Sequence, residues 1–198
     1  MNQRKTRQFG IVLGGLAVAL AGCSILPEPK VDPTRFYLLS TAATPASPAA
    51  PVVVVQFRPV EVAGYLRNPP IVVRRGEHEV EFRDLARWGE PLEQGIARVL
   101  REELRARGIS AAGDRAREET PPTLGVRVLA CEGTAAGAVE FRAAWELVGT
   151  GAGGKIRRGE FRATGLRWDP RNESTLAARL SEAVAGLAEE ISQAVAAR

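Results

Sequence analysis

The chain has 198 residues, a formal net charge of +4 and 45% apolar residues, with two cysteines and one histidine. Those values exclude a disulfide scaffold and a disordered polar chain, and they leave room for one domain with a sizeable core. The positive charge is no nucleic-acid footprint: Arg4, Lys5 and Arg7 lie in an export segment, and without residues 1–22 the balance is 24 basic against 23 acidic residues.

The first predicted element is a signal peptide over residues 1–22. A basic start, a nearly uninterrupted apolar stretch from Phe9 to Ala21 and a small-residue cleavage region stand in the required order. The stretch is shorter than the roughly 20 residues that a spanning helix needs. Leu20-Ala21-Gly22-Cys23 resembles a bacterial lipobox, which implies cleavage before Cys23, lipidation of its thiol and acylation of its new amino group. By the same resemblance, Ser24 in place of Asp implies the outer membrane. Residues 23–34 then form the lipidated cysteine and a tether carrying Pro27, Pro29 and Pro33. Extended, that tether spans about 30 Å. With Cys23 lipidated, Cys131 stands alone, so no internal disulfide is available.

Residues 35–198 are expected to form a single α/β domain. Arg35–Ser40 and Val52–Phe57 have strand composition, separated by the Ala/Pro-rich loop Thr41–Pro51. Glu61–Pro70 is a turn-rich connection, and Ile71–Arg74 with Glu79–Phe82 flank Gly76-Glu77 as a hairpin. A helix is predicted from Pro91 to Arg107. There Leu92, Ile96, Val99, Leu100 and Leu104 share one stripe, and Gly108 supplies the stop. Ala111–Pro122 is a charged loop and Leu124–Cys131 a strand. Val139–Val148 alternates apolar Val139, Phe141, Ala143, Trp145 and Leu147 with polar or small neighbours, and Lys155–Ala163 is its antiparallel partner. A second long helix covers about Ser174–Ala196, with Leu176, Leu180, Val184 (or Ala183), Leu187, Ile191 and Val195 on one face. The sum is a mixed sheet of about six strands packed with two long helices.

Motifs for chemistry are weak. Gly149–Lys155 imitates the start of a P-loop, but Ile156 stands where Ser or Thr must hold Mg²⁺, and a strand pattern follows instead of a helix. No nucleotide site is expected. His78 is the only histidine and has no metal-ligand or triad spacing around it. Cys131 reads as a buried inert thiol. The adjacent acid pairs Glu102-Glu103, Glu118-Glu119 and Glu189-Glu190 read as solvated charge. No catalytic residue, cofactor or metal is expected, and the chain reads as a non-enzyme. Tyr65, Leu66 and Trp88 lie in irregular segments that no period requires to be apolar. They are the candidate interface residues, for self-association or for a partner, with plugging of the sheet edge as the rival reading.

The order of features resembles the ABC-type transport auxiliary lipoprotein family, the PqiC-like lipoproteins. Pro33-Thr34-Arg35-Phe36-Tyr37-Leu38-Leu39 is similar to the family's opening strand. Tyr65, Leu66, Pro69 and Ile71 stand in the pattern of its signature, except that Pro70 replaces the usual Gln. Trp88, Glu90, Pro91 and Leu92 resemble its entry into the first helix, and Val139–Leu147 and the C-terminal helix fall in the family's places. The resemblance implies a non-catalytic periplasmic subunit on the outer membrane. Its partner would be the MCE-domain (mammalian cell entry) protein of an inner-membrane ABC-type complex that moves lipids between membranes. A lipoprotein that itself binds a small hydrophobic ligand, and a lipid-anchored hydrolase using His78, are the rival functions.

Overall fold

A computed structural model of the chain describes residues 31–41, 53–112, 121–149 and 154–196. The predicted signal peptide, Cys23, most of the tether, most of the two loops around residues 46 and 116, and the middle of the Gly149–Lys155 loop lie outside the described residues. In chain order the strands are β1 (Arg35–Tyr37), β2 (Val53–Phe57), β3 (Glu61–Val62), β4 (Pro70–Arg74), β5 (Val80–Trp88), β6 (Ile109–Ala111), β7 (Thr123–Thr134), β8 (Val139–Val148) and β9 (Ile156–Arg162). Among the described residues the helices are α1 (Leu92–Ala106) and α2 (Glu173–Ala196), and a 3-10 turn, Gly64–Arg67, joins β3 to β4.

β7 is the axis of the sheet. One edge is paired along its whole length with β8, antiparallel, and β8 passes the pairing on to β9. The other edge receives β2, β3 and β4 in succession, all parallel to it. Beyond these lie β6 next to β2, β5 next to β4, and β1 next to β5. The sheet is mixed, as expected, and carries nine strands among the described residues instead of about six. Most of the excess is β3 and β6, which are two and three residues long. Segments so short show no period in sequence, and only β7 and β2 bring them into the sheet.

α1 and α2 cover one face. The α1 stripe of Leu92, Ile96, Val99, Leu100 and Leu104 is buried as the period predicts, and Gly108, at φ +82°, ends the helix in a conformation that favours glycine. α2 starts at Asn172, whose Oδ1 accepts from the backbone N–H of Ser174 at 3.2 Å. It buries Leu176, Leu180, Val184, Leu187 and Ile191. The facing residues of β8 are Val139, Phe141, Ala143, Trp145 and Leu147, all buried. Trp145 spans the layers: its Nε1 donates to Glu190 Oε1 at 2.6 Å.

β7 contains an irregularity between Val128 and Ala130. Before it Leu124, Val126 and Val128 face the helices; after it Cys131, opposite Phe141, does so. The extra residue re-phases the strand and turns Glu132 to the opposite face.

Candidate functional site

Two helices lie on one side of β7, β8 and β9, and among the described residues no layer covers the other side. The period of two sends Gly125, Arg127, Ala144 and Glu146 there. The result is an open groove of about 550 Å³. Gly125 and Ala144 contribute no bulk to its floor, while Arg58, Glu61, Arg127, Glu146, Arg158 and Glu160 line it with charge. Arg127 Nε lies 2.9 Å from Glu61 Oε2, and Arg158 Nε lies 2.6 Å from Glu146 Oε2. Both pairs are substantially exposed, so they contribute little stability. Their consequence is a surface patterned in both signs, suited to a partner of matching charge.

Farther along the same strands, the face holds a buried polar cluster. Glu132 is fully buried. Arg74 Nε donates to its Oε1 at 2.6 Å, Arg74 Nη2 lies 2.5 Å from the same oxygen, and Tyr65 Oη donates to Oε2 at 2.5 Å. Three segments meet here: the 3-10 turn through Tyr65, the end of β4 through Arg74 and the re-phased half of β7 through Glu132. Burial, and then the hydrogen bond to Glu132, raise the Tyr65 phenol well above its ordinary range, with Arg74 opposing. Glu132 in turn raises Arg74. An unfolded tyrosine ionises near pH ~10, whereas folded Tyr65 still holds its proton there, so this residue's share of stability is lost as pH rises past that value. Tyr65→Phe is expected to cost about 1 kcal/mol near neutrality and to reduce the alkaline loss, as urea melts at several pH values will read.

Among the described residues no group of three or more His, Cys, Asp or Glu side chains is placed to hold a metal ion.

The model of the family of ABC-type transport auxiliary lipoprotein components matches residues 37–192, which takes in α1, most of α2 and nearly the whole sheet. The chain belongs to that family. Two solved structures share its fold. An uncharacterized protein is 18% identical, with a TM-score of 0.66 over 82% of this chain and 98% of that one. Protein XCC0632 from Xanthomonas campestris, a DUF330 protein, is 19% identical, with a TM-score of 0.59 over 79% and 92%. Among curated proteins none matches the chain.

The expected interface of this auxiliary lipoprotein requires correction. Leu66 is 1% and Trp88 7% exposed, and both belong to the core. Irregular backbone misled the reading: Leu66 is the buried residue of the 3-10 turn, which contacts α1, and Trp88 ends β5, where Ala86 and Trp88 are buried while Leu85 and Arg87 are exposed. Tyr65 is half-buried, with its hydroxyl committed to Glu132. The three residues therefore plug the domain and form no common surface. His78 is exposed beside Glu77, and Cys131 is buried, which pushes its thiol up. Lys155 is exposed, and its carbonyl accepts from Gly149 N at 3.0 Å to close the β8–β9 hairpin. Lys155→Ala is expected to change stability by less than about 0.5 kcal/mol and leave transport function intact. Saturable ATP binding lost in that variant would overturn this. Sequence reasoning missed both the groove, legible only as Gly125 and Arg127 alternating with buried neighbours, and the exposed apolar side chains of β1 and β5.

Proposed function

We propose that the chain is a non-catalytic subunit anchored through lipidated Cys23 to the periplasmic side of the outer membrane. It docks there on the MCE-domain protein of an inner-membrane ABC-type complex that moves lipids between the membranes. Membership of the auxiliary family supports the transport role, and the lipobox ending at Cys23 supports the anchor. The observation that carries docking is the sheet face that neither helix covers, with its mixed-sign groove across β7, β8 and β9. A lipid-binding cavity calls for a mostly apolar enclosure. The groove is open, and three arginines and three glutamates stand among its lining residues beside Pro59, Val126, Ala144 and Trp145. It fits a protein surface better than an acyl chain.

The test is affinity capture from detergent-solubilised envelopes with the lipidated chain as bait. An MCE-domain protein should be retained, and intact mass should show loss of residues 1–22 and added acyl chains on Cys23. Charge reversal by Arg127→Glu with Arg158→Glu is expected to weaken capture by about tenfold or more. The melting temperature should stay nearly unchanged, since both side chains are exposed. Recovery of no MCE-domain protein by the unmodified chain would sink the docking role.

A further inference from the structure

The flank of the sheet where the tether enters carries an apolar surface that no other described residue buries. Phe36 and Leu38 of the first strand segment are 67% and 57% exposed, and Leu85 of β5 is 55% exposed. Parallel pairing aligns Phe36 with Arg87, so Leu85, two residues earlier on β5, stands on the same face as Phe36. Tyr37 and Leu39 alternate with them and turn inward. Arg35 and Arg87 are also exposed. Three large apolar side chains and the Arg87 guanidinium thus share one face, and Arg35, which alternates with Phe36, flanks it at the start of the strand.

The length of chain before this patch says what covers it. Cys23 precedes Arg35 by twelve residues. At full extension those span at most about 40 Å. Resting on the lipidation of Cys23, the patch is therefore the part of the domain held nearest the bilayer. A tether of this length keeps it at a high effective concentration there, so weak affinity suffices. We propose that Phe36, Leu38 and Leu85 insert into the interfacial layer of the membrane that carries the anchor, with Arg35 and Arg87 on lipid phosphates. Insertion stops at the headgroup level, because β1 is an edge strand whose outer backbone groups need water or headgroups as partners. The domain then stands on its β1 edge, with β9 at the opposite end of the sheet.

The test uses the lipidated chain in vesicles of phosphatidylethanolamine and phosphatidylglycerol, with a nitroxide at Leu85→Cys and, separately, at Ile156→Cys on β9. Buried Cys131 does not compete for the label. Collision with oxygen should dominate at position 85, and collision with a water-soluble nickel chelate at position 156. Phe36→Ser with Leu38→Ser should lower the docked-to-free ratio at position 85 by more than ~10-fold. The melting temperature should hold, as both side chains are exposed. A position 85 label as wet as position 156, on a chain whose mass shows acylated Cys23, overturns the proposal and leaves the anchor standing. Spin–spin broadening at position 85 without oxygen exposure would assign the patch to a second copy and also overturn it. Missing acyl mass would instead remove the anchor reading itself.

Discussion

Arg74→Met is expected to destabilise the domain by about 3–5 kcal/mol, because it leaves the buried Glu132 carboxylate without its cation. Arg74 keeps 26% of its side-chain surface, whereas Glu132 has none, so the burden falls on the carboxylate. Methionine retains most of the arginine stem, which limits the packing loss and isolates the charge. For a domain of this size a loss of that order lowers the melting temperature by roughly 10 °C or more. Tyr65 cannot compensate, since its hydroxyl already donates to Oε2 while the arginine occupies Oε1. Arg74→Met combined with Glu132→Leu should recover much of the loss, because removing both charges also removes the desolvation cost of the pair. Urea melts of the single and double variants check this. A single variant within about 1 kcal/mol of the parent would show that the pair is not a keystone.

Gly133→Ala is expected to cost about 3 kcal/mol, at the upper end for overpacking a core. A Cβ at residue 133 would lie 2.4 Å from Trp168 Cε2 and 2.5 Å from Nε1. The indole has little room to retreat: Trp168 is buried, and its Nε1 donates to the Thr134 carbonyl at 3.1 Å. Shrinking the partner is the control. Trp168→Leu alone leaves a cavity, but Gly133→Ala should be markedly less harmful in that background, and a double-mutant cycle measures the coupling. Gly125→Ala is the contrasting case, as its Cβ would meet only Arg58 Cδ at 3.7 Å. It should be neutral within about 0.5 kcal/mol. Equal effects at both glycines would mean that the Trp168 contact does not govern the difference.

The pattern of this chain already contains both helices and the long strands. Val139–Val148 displays its buried face without any partner, because alternation over ten residues is a local property of the backbone. The same holds for the α1 stripe, where five apolar residues recur at helical spacing. The order of motifs from Pro33 to the final helix resembles the auxiliary family to which the chain belongs. Nothing local distinguishes Leu66, which packs into the core, from Leu38, which lies in the open. Their destinations depend on which element arrives above them: α1 approaches the 3-10 turn, and among the described residues no element covers that face of β1. Glu132 likewise reads as a polar interruption near a strand end. Only the irregularity after Val128 turns it from the helix side, and only the pairing of β4 with β7 brings Arg74 to it. Periodicity is written in neighbours along the chain, and so the sequence by itself determines elements and their buried sides. Contacts between Tyr65, Arg74 and Glu132, or across the groove from Arg58 to Glu160, join residues dozens of positions apart. Strand order, register and one extra residue in β7 decide them, and these arise when the layers assemble.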